Sequence, residues 1–118
     1  MNIEQLRECC LSLKGTTESM PFDDSTLVIK VQNKMFALIP LNTSEQSISL
    51  KCEPERAIIL REEFSYILPA WHFNKKHWNM IMMNPNLSES FMNEMIKDSY
   101  NLVVAGLPKK LREELERK

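Results

Sequence analysis

The chain has 118 residues, 43% hydrophobic and 26% charged, with a formal net charge of −1; that is enough chain for one domain, residues 1–118, with a core that needs no disulfides, and it is not the strongly basic particle of a non-specific DNA binder. No apolar run approaches the roughly 20 residues of a membrane-crossing helix, and no basic-then-apolar leader opens the sequence. Three cysteines, two of them adjacent, give no disulfide framework or metal-ligand spacing, so a reducing cytoplasm is expected.

Residues 3–13 place Ile3, Leu6, Cys10 and Leu13 at helical spacing, with Asn2 and Gln5 set as a capping box and Gly15 as the stop. Cys10 is then a small core residue, and neither it nor Cys9 has the basic neighbours of a reactive thiol. Residues 16–25 read as a polar connector whose acids, Glu18, Asp23 and Asp24, lack the further ligands of a calcium loop. Leu27, Ile29 and Val31 alternate as a strand, Gln32-Asn33-Lys34 is a tight turn, and residues 35–39 return as a second strand that Pro40 stops. Ile48, Leu50 and Cys52 alternate with Ser47, Ser49 and Lys51, the pattern of a half-buried strand with a small, polar outer face.

Glu53-Pro54 opens a second helix with Ala57, Leu60 and Phe64 on its buried side. Tyr66-Ile67-Leu68-Pro69 leaves it in extended form, and residues 78–83 form another strand. Ser88 caps a third helix, which runs to about Ala105 with a broad stripe including Phe91, Met92, Met95, Ile96, Leu102 and Val103, and Gly106 ends it. Residues 107–118 form a helical tail anchored by Leu111 and Leu115. The order predicts an α+β, two-layer α-β sandwich: an antiparallel sheet with helices on one face.

The densest chemistry lies in Pro69-Ala70-Trp71-His72-Phe73-Asn74-Lys75-Lys76-His77-Trp78-Asn79, inside a stretch free of acids from Phe64 to Ser88. Both tryptophans and both histidines of the chain fall there. Aromatic rings interleaved with positive charge can contact phosphates and bases; the same rings can equally fill the core of a β-hairpin. Charge alternates along the chain, with acidic helices and basic strands, so one sheet face can be positive on a nearly neutral protein.

Lys34-Met35-Phe36-Ala37, Leu50-Lys51-Cys52-Glu53-Pro54-Glu55, the 69–78 segment, and Ser99-Tyr100-Asn101-Leu102-Val103-Val104 followed by Leu107-Pro108-Lys109-Lys110 occur in an order and spacing that resemble the MmcQ/YjbR family. Pro21-Phe22-Asp23 departs from that family's usual Pro-Phe-Gly in a loop. The resemblance implies a CyaY/frataxin-like sandwich with one sheet face open, and DNA binding through paired hairpin wings. Frataxin-like proteins hold iron on acidic residues of the first helix, where this chain offers only Glu4 and Glu8, with Glu18 beyond it.

Nothing in the sequence marks an enzyme. No nucleophile motif accompanies His72 and His77, and the two glycines are too far apart for a phosphate loop. A zinc site would need both histidines, Cys52 and ligands from elsewhere. No cofactor, metal, membrane or small-molecule substrate is indicated. The candidate nucleic-acid-binding residues are Lys30, Lys34, Lys51, Lys75, Lys76, His77 and Trp78, with DNA as the expected partner. The alternative is a protein partner on the open sheet face, where the methionines Met80, Met82, Met83, Met92 and Met95 supply an adaptable surface.

Overall fold

The computed structural model describes residues 1–70 and 73–118; Trp71 and His72 lie outside the described residues, and so do the readings that rest on them. Helix α1 (Ile3–Leu11) is started by the expected reciprocal cap between Asn2 and Gln5, both bonds at 2.9 Å. It stops two residues short of the predicted end because Ser12 takes the cap position and turns its hydroxyl back to the Cys9 carbonyl at 2.7 Å. Gly15, at φ +74°, then reverses the chain in the left-handed region that suits glycine.

Residues 16–19, read from sequence as part of a connector, form strand β1 (Thr16–Ser19). Thr16 and Thr17 suit a strand. The apolar alternation is missing because β1 is an edge strand, exposed over most of its length. Strands β2 (Thr26–Val31) and β3 (Lys34–Pro40) are joined by Gln32 and Asn33, at φ +48° and +68°. Two positive values of φ are the signature of the tight hairpin turn whose twist matches the flanking strands. Strand β4 (Ser47–Lys51), helix α2 (Pro54–Glu63), strands β5 (Ile67–Pro69) and β6 (Trp78–Met82), and helices α3 (Glu89–Ala105) and α4 (Lys109–Glu116) follow. Ser88 caps α3 by accepting from the Phe91 amide at 3.1 Å.

The six strands form one sheet in the order β1-β2-β3-β4-β6-β5, with every neighbouring pair antiparallel. Its larger core cluster holds Ile29, Ala37, Ile39, Ile48, Leu50, Ile67 and Ile81 against residues from all four helices, among them Leu6, Leu60, Met92, Ile96 and Leu115. Each fully buried isoleucine contributes about 1.5–3 kcal/mol. The second cluster, Val28, Leu38, Ala70 and Trp78, contains no helical residue and occupies the other face. Among the described residues the helices therefore share one face of the sheet, as expected.

Two expectations about that other face are corrected. Ser47 and Ser49 are 3% and 7% exposed, so they are not a solvated polar face. They are small residues opposite Met82 and Met80 in the register, on the face where Met80 packs against the smaller core cluster. Trp78, taken as a base-contacting ring, is 8% exposed and packs against Phe73 with ring centroids 5.7 Å apart.

A serine on α3 completes the sheet. In register, Phe36 and Lys51 would be the next β3–β4 pair after Ala37 with Leu50, but the pairing stops one step earlier, beside a β-bulge. The Ser99 hydroxyl bridges the gap: it donates to the Phe36 carbonyl at 2.6 Å and accepts from the Lys51 amide at 2.8 Å.

Candidate nucleic-acid interface

The strand register brings the sequence-predicted cations to one end of the sheet. Val31 pairs with Lys34, Lys30 with Met35, and Lys51 with Trp78, so the β2–β3 turn, the end of β4 and the start of β6 lie side by side. Ala70 and residues 73–77, between β5 and β6, lie at the same end. From β3 to β6 is two strand spacings, about 10 Å. Lys34, Lys75 and Lys76 are exposed, while Lys30, Lys51 and His77 are half-buried.

Both hairpins are held from behind. The Gln32 side chain donates to the Leu111 carbonyl at 3.0 Å, and its backbone amide reaches the Gly15 carbonyl at 3.4 Å, which fastens the first turn to α4 and to the α1–β1 link. In the second, the Asn74 carbonyl accepts from His77 and Trp78 at 2.9 and 3.0 Å, and its side chain accepts from the Lys76 amide at 3.0 Å. Arg61, on α2, donates to the Lys75 carbonyl at 2.8 Å. The Cys52 amide donates to the His77 carbonyl at 2.7 Å, tying the end of β4 to the same loop.

Sequence reasoning missed Arg61 and its neighbour Ile58. A cavity of about 330 Å3 lies between α2 and this loop, lined by Pro54, Ile58, Arg61, Pro69, Lys75 and Lys76. Ile58 is 50% exposed. The available signal was that Ile58 and Ile59 fall off the Ala57–Leu60 stripe of α2, so the helix shows isoleucine to solvent.

Glu18 lies 2.5 Å from Arg7, and that hydrogen bond holds its carboxyl below the usual range. Burial pushes the Cys10 thiol up to about 12 and raises Cys52 and Cys9 less far. Among the described residues no three His, Cys, Asp or Glu side chains converge as a metal site, and no helix is long and apolar enough to cross a membrane. The grouping of His72 with His77 and Cys52 lies partly outside the described residues.

The architecture defines a class: a small α+β domain with, among the described residues, six antiparallel strands, four helices and a cluster of lysines at one sheet end. Within that class the chain belongs to the YjbR family, whose model matches residues 11–102. It is 31% identical over 112 residues to an uncharacterised protein named YjbR from Escherichia coli strain K12, covering 95% of each chain. It is 32% identical over 107 residues to YbdF of Escherichia coli O157:H7, also uncharacterised, covering 91% of this chain and 88% of that one. Among solved structures, Deinococcus radiodurans protein DR2400, a DUF419 domain, superposes with a TM-score of 0.90 at 36% identity, covering 98% of this chain and 88% of the other. A Pseudomonas syringae protein gives 0.75 at 27% identity, over 86% and 98%.

Proposed function

We propose that this YjbR-family domain is a non-enzymatic nucleic-acid-binding module that grips duplex DNA by its phosphates at the basic sheet end. The observation that supports this reading is the convergence, through strand register, of Lys30, Lys34, Lys51, Lys75 and Lys76 on a protein of net charge −1. The separation of the two hairpins, about 10 Å, is close to the ~12 Å width of the major groove. With Trp78 committed to the smaller core cluster, duplex phosphate contact is favoured over base stacking on single strands. The side-by-side hairpins on an antiparallel sheet with helices behind it also support the frataxin-like kinship that the sequence resemblance implies. Iron binding of the frataxin kind is not part of the proposal, since Glu18 is engaged by Arg7.

The test is fluorescence-anisotropy binding to a mixed duplex and a single strand across a salt series. Five phosphate contacts give a log–log slope of about −4 to −5. Lys34→Glu/Lys75→Glu/Lys76→Glu should abolish binding with the fold intact. Absence of binding at low salt refutes the reading. The second reading, a protein-interaction module, is favoured by the exposed Ile58 beside Lys75 and Lys76, a combination suited to an acidic peptide with an apolar anchor. Ile58→Asp would then remove peptide binding.

A further inference from the structure

Asn79 stands on β6 with its side chain toward α2 and is 2% exposed. Its Nδ2 donates to the Ala57 carbonyl at 3.3 Å, which settles the amide orientation, since a flip would set oxygen against oxygen. Its Oδ1 is buried without a hydrogen-bond partner among the described residues, although buried polar atoms are nearly always paired.

Asn79 lines a chamber of about 20 Å3, room for one water-sized group. The apolar walls include Leu60, Ile81 and Met95, and Cys52, Arg56 and Asp98 form its neck. The same three neck residues line a groove of about 320 Å3 that extends past Glu53 and Asn101 between the start of α2 and the later turns of α3.

The neck decides the charge of an occupant. Arg56 is the one guanidinium there, 3.5 Å from Asp98 and 3.9 Å from Glu94, and Glu53 adds a third carboxylate. Lys51, which also lines the chamber, brings the cations to two against three carboxylates, so an anion gains nothing from the balance, and a carboxylate has no proton for Oδ1. A cation would lose its hydration among Leu60, Ile81 and Met95. The Cys52 thiol, kept protonated by burial, adds no charge. A lone water fits the volume, and the test below separates it from an organic occupant, since a water gives Cys52 no protection that depends on added ligand. A neutral donor carried on carbon satisfies Oδ1 and leaves its stem in the roomier groove.

We infer that this chamber is a subsite for the donor group, a hydroxyl or the NH2 of a primary carboxamide, of a small neutral ligand, which donates to Asn79 Oδ1 while the rest of the ligand lies past Cys52 in the groove between α2 and α3. The inference is independent of nucleic-acid binding.

Cys52 at the neck supplies the readout. Its alkylation by N-ethylmaleimide is timed by peptide mass spectrometry, which scores Cys9 and Cys10 separately. Propionamide and 1-propanol are the probes, with propionate and propylammonium as charged controls of similar size. The two neutral probes should slow Cys52 modification at least threefold and saturably, the charged ones should not, and the rate at Cys9 should not change. Asn79→Leu should lose the protection. In the unmutated protein, propionamide should also shift the Asn79 side-chain amide resonances saturably, a measurement that does not depend on the variant folding. Equal protection by propionate, protection that survives in Asn79→Leu, or an unshifted Asn79 amide overturns the inference.

Discussion

Replacing Ser99 by alanine tests whether one hydroxyl on α3 completes the β3–β4 pairing. The change deletes the bridge between the Phe36 carbonyl and the Lys51 amide, both at a fully buried hydroxyl. Leaving a buried backbone group unpaired costs about 1–3 kcal/mol. Two such groups set an upper range near 6 kcal/mol, and partial closure of the strands toward a direct bond should bring the loss to about 2–4 kcal/mol. With an unfolding entropy of about 0.25 kcal/mol/K for a chain of this size, a 3 kcal/mol loss lowers Tm by about 12 °C. Urea denaturation measures the stability, and hydrogen exchange of the Lys51 amide locates the effect. A loss under about 1 kcal/mol, with the Lys51 amide still protected, would show that the strands need no bridge and would refute the reasoning.

Gly15→Ala forces a side chain into φ +74° and drives its Cβ into Leu115 Cδ1, so it should cost about 1–3 kcal/mol in a thermal melt. Gly106→Ala, at φ −89° with only ordinary contacts, should lie within about 0.5 kcal/mol of the unmodified protein. Because burial raises the folded-state pKa of Cys10 to about 12, the folded protein holds that proton where the unfolded chain, titrating near 8.5, releases it. Stability should therefore fall as pH rises from about 8.5 towards 12, and the alkaline limb should flatten in Cys10→Ala. Trp78→Ala should cost about 3–5 kcal/mol in denaturant unfolding, as loss of a core ring does; a change within 0.5 kcal/mol would mark Trp78 as a surface residue after all.

The helices were legible because their signals are local: the Asn2–Gln5 box, Pro54 at the first turn, and Ser88 before the α3 stripe each act within four residues of where they are read. The alternating strands were legible for the same reason. Strand β1 was not, because an edge strand owes its existence to pairing with Val28–Val31, and that pairing leaves no apolar pattern in Thr16–Ser19. The buried serines of β4 misled because alternation reports which way a side chain points and not what lies over it. The lysines of the candidate site could be named from sequence, but their convergence depends on strand order, which places β6 beside β4 and across from the β2–β3 turn. Ser99 left a visible trace, a small hydroxyl in the apolar row Met92, Met95, Ile96 and Val103; the gap it fills between two strands left none.

The end of β4 is where these features meet. The Lys51 amide is held by Ser99 from the helical side, and the Cys52 amide is held by the His77 carbonyl from the basic loop. Lys51 and Cys52 also line the chamber beneath Asn79. A cation whose backbone is fixed on both sides loses little freedom when it meets a phosphate, so it returns more of its electrostatic gain as affinity than a cation on a loose turn. Lys51 should therefore contribute to duplex affinity through the fixing of its backbone as well as through its charge. Ser99→Ala separates rigidity from charge: it leaves every charge in place while it releases the Lys51 amide and the Phe36 carbonyl between β3 and β4. A weaker duplex affinity with an unchanged salt slope in that variant would trace the loss to preorganisation, since the slope counts charges and not their rigidity.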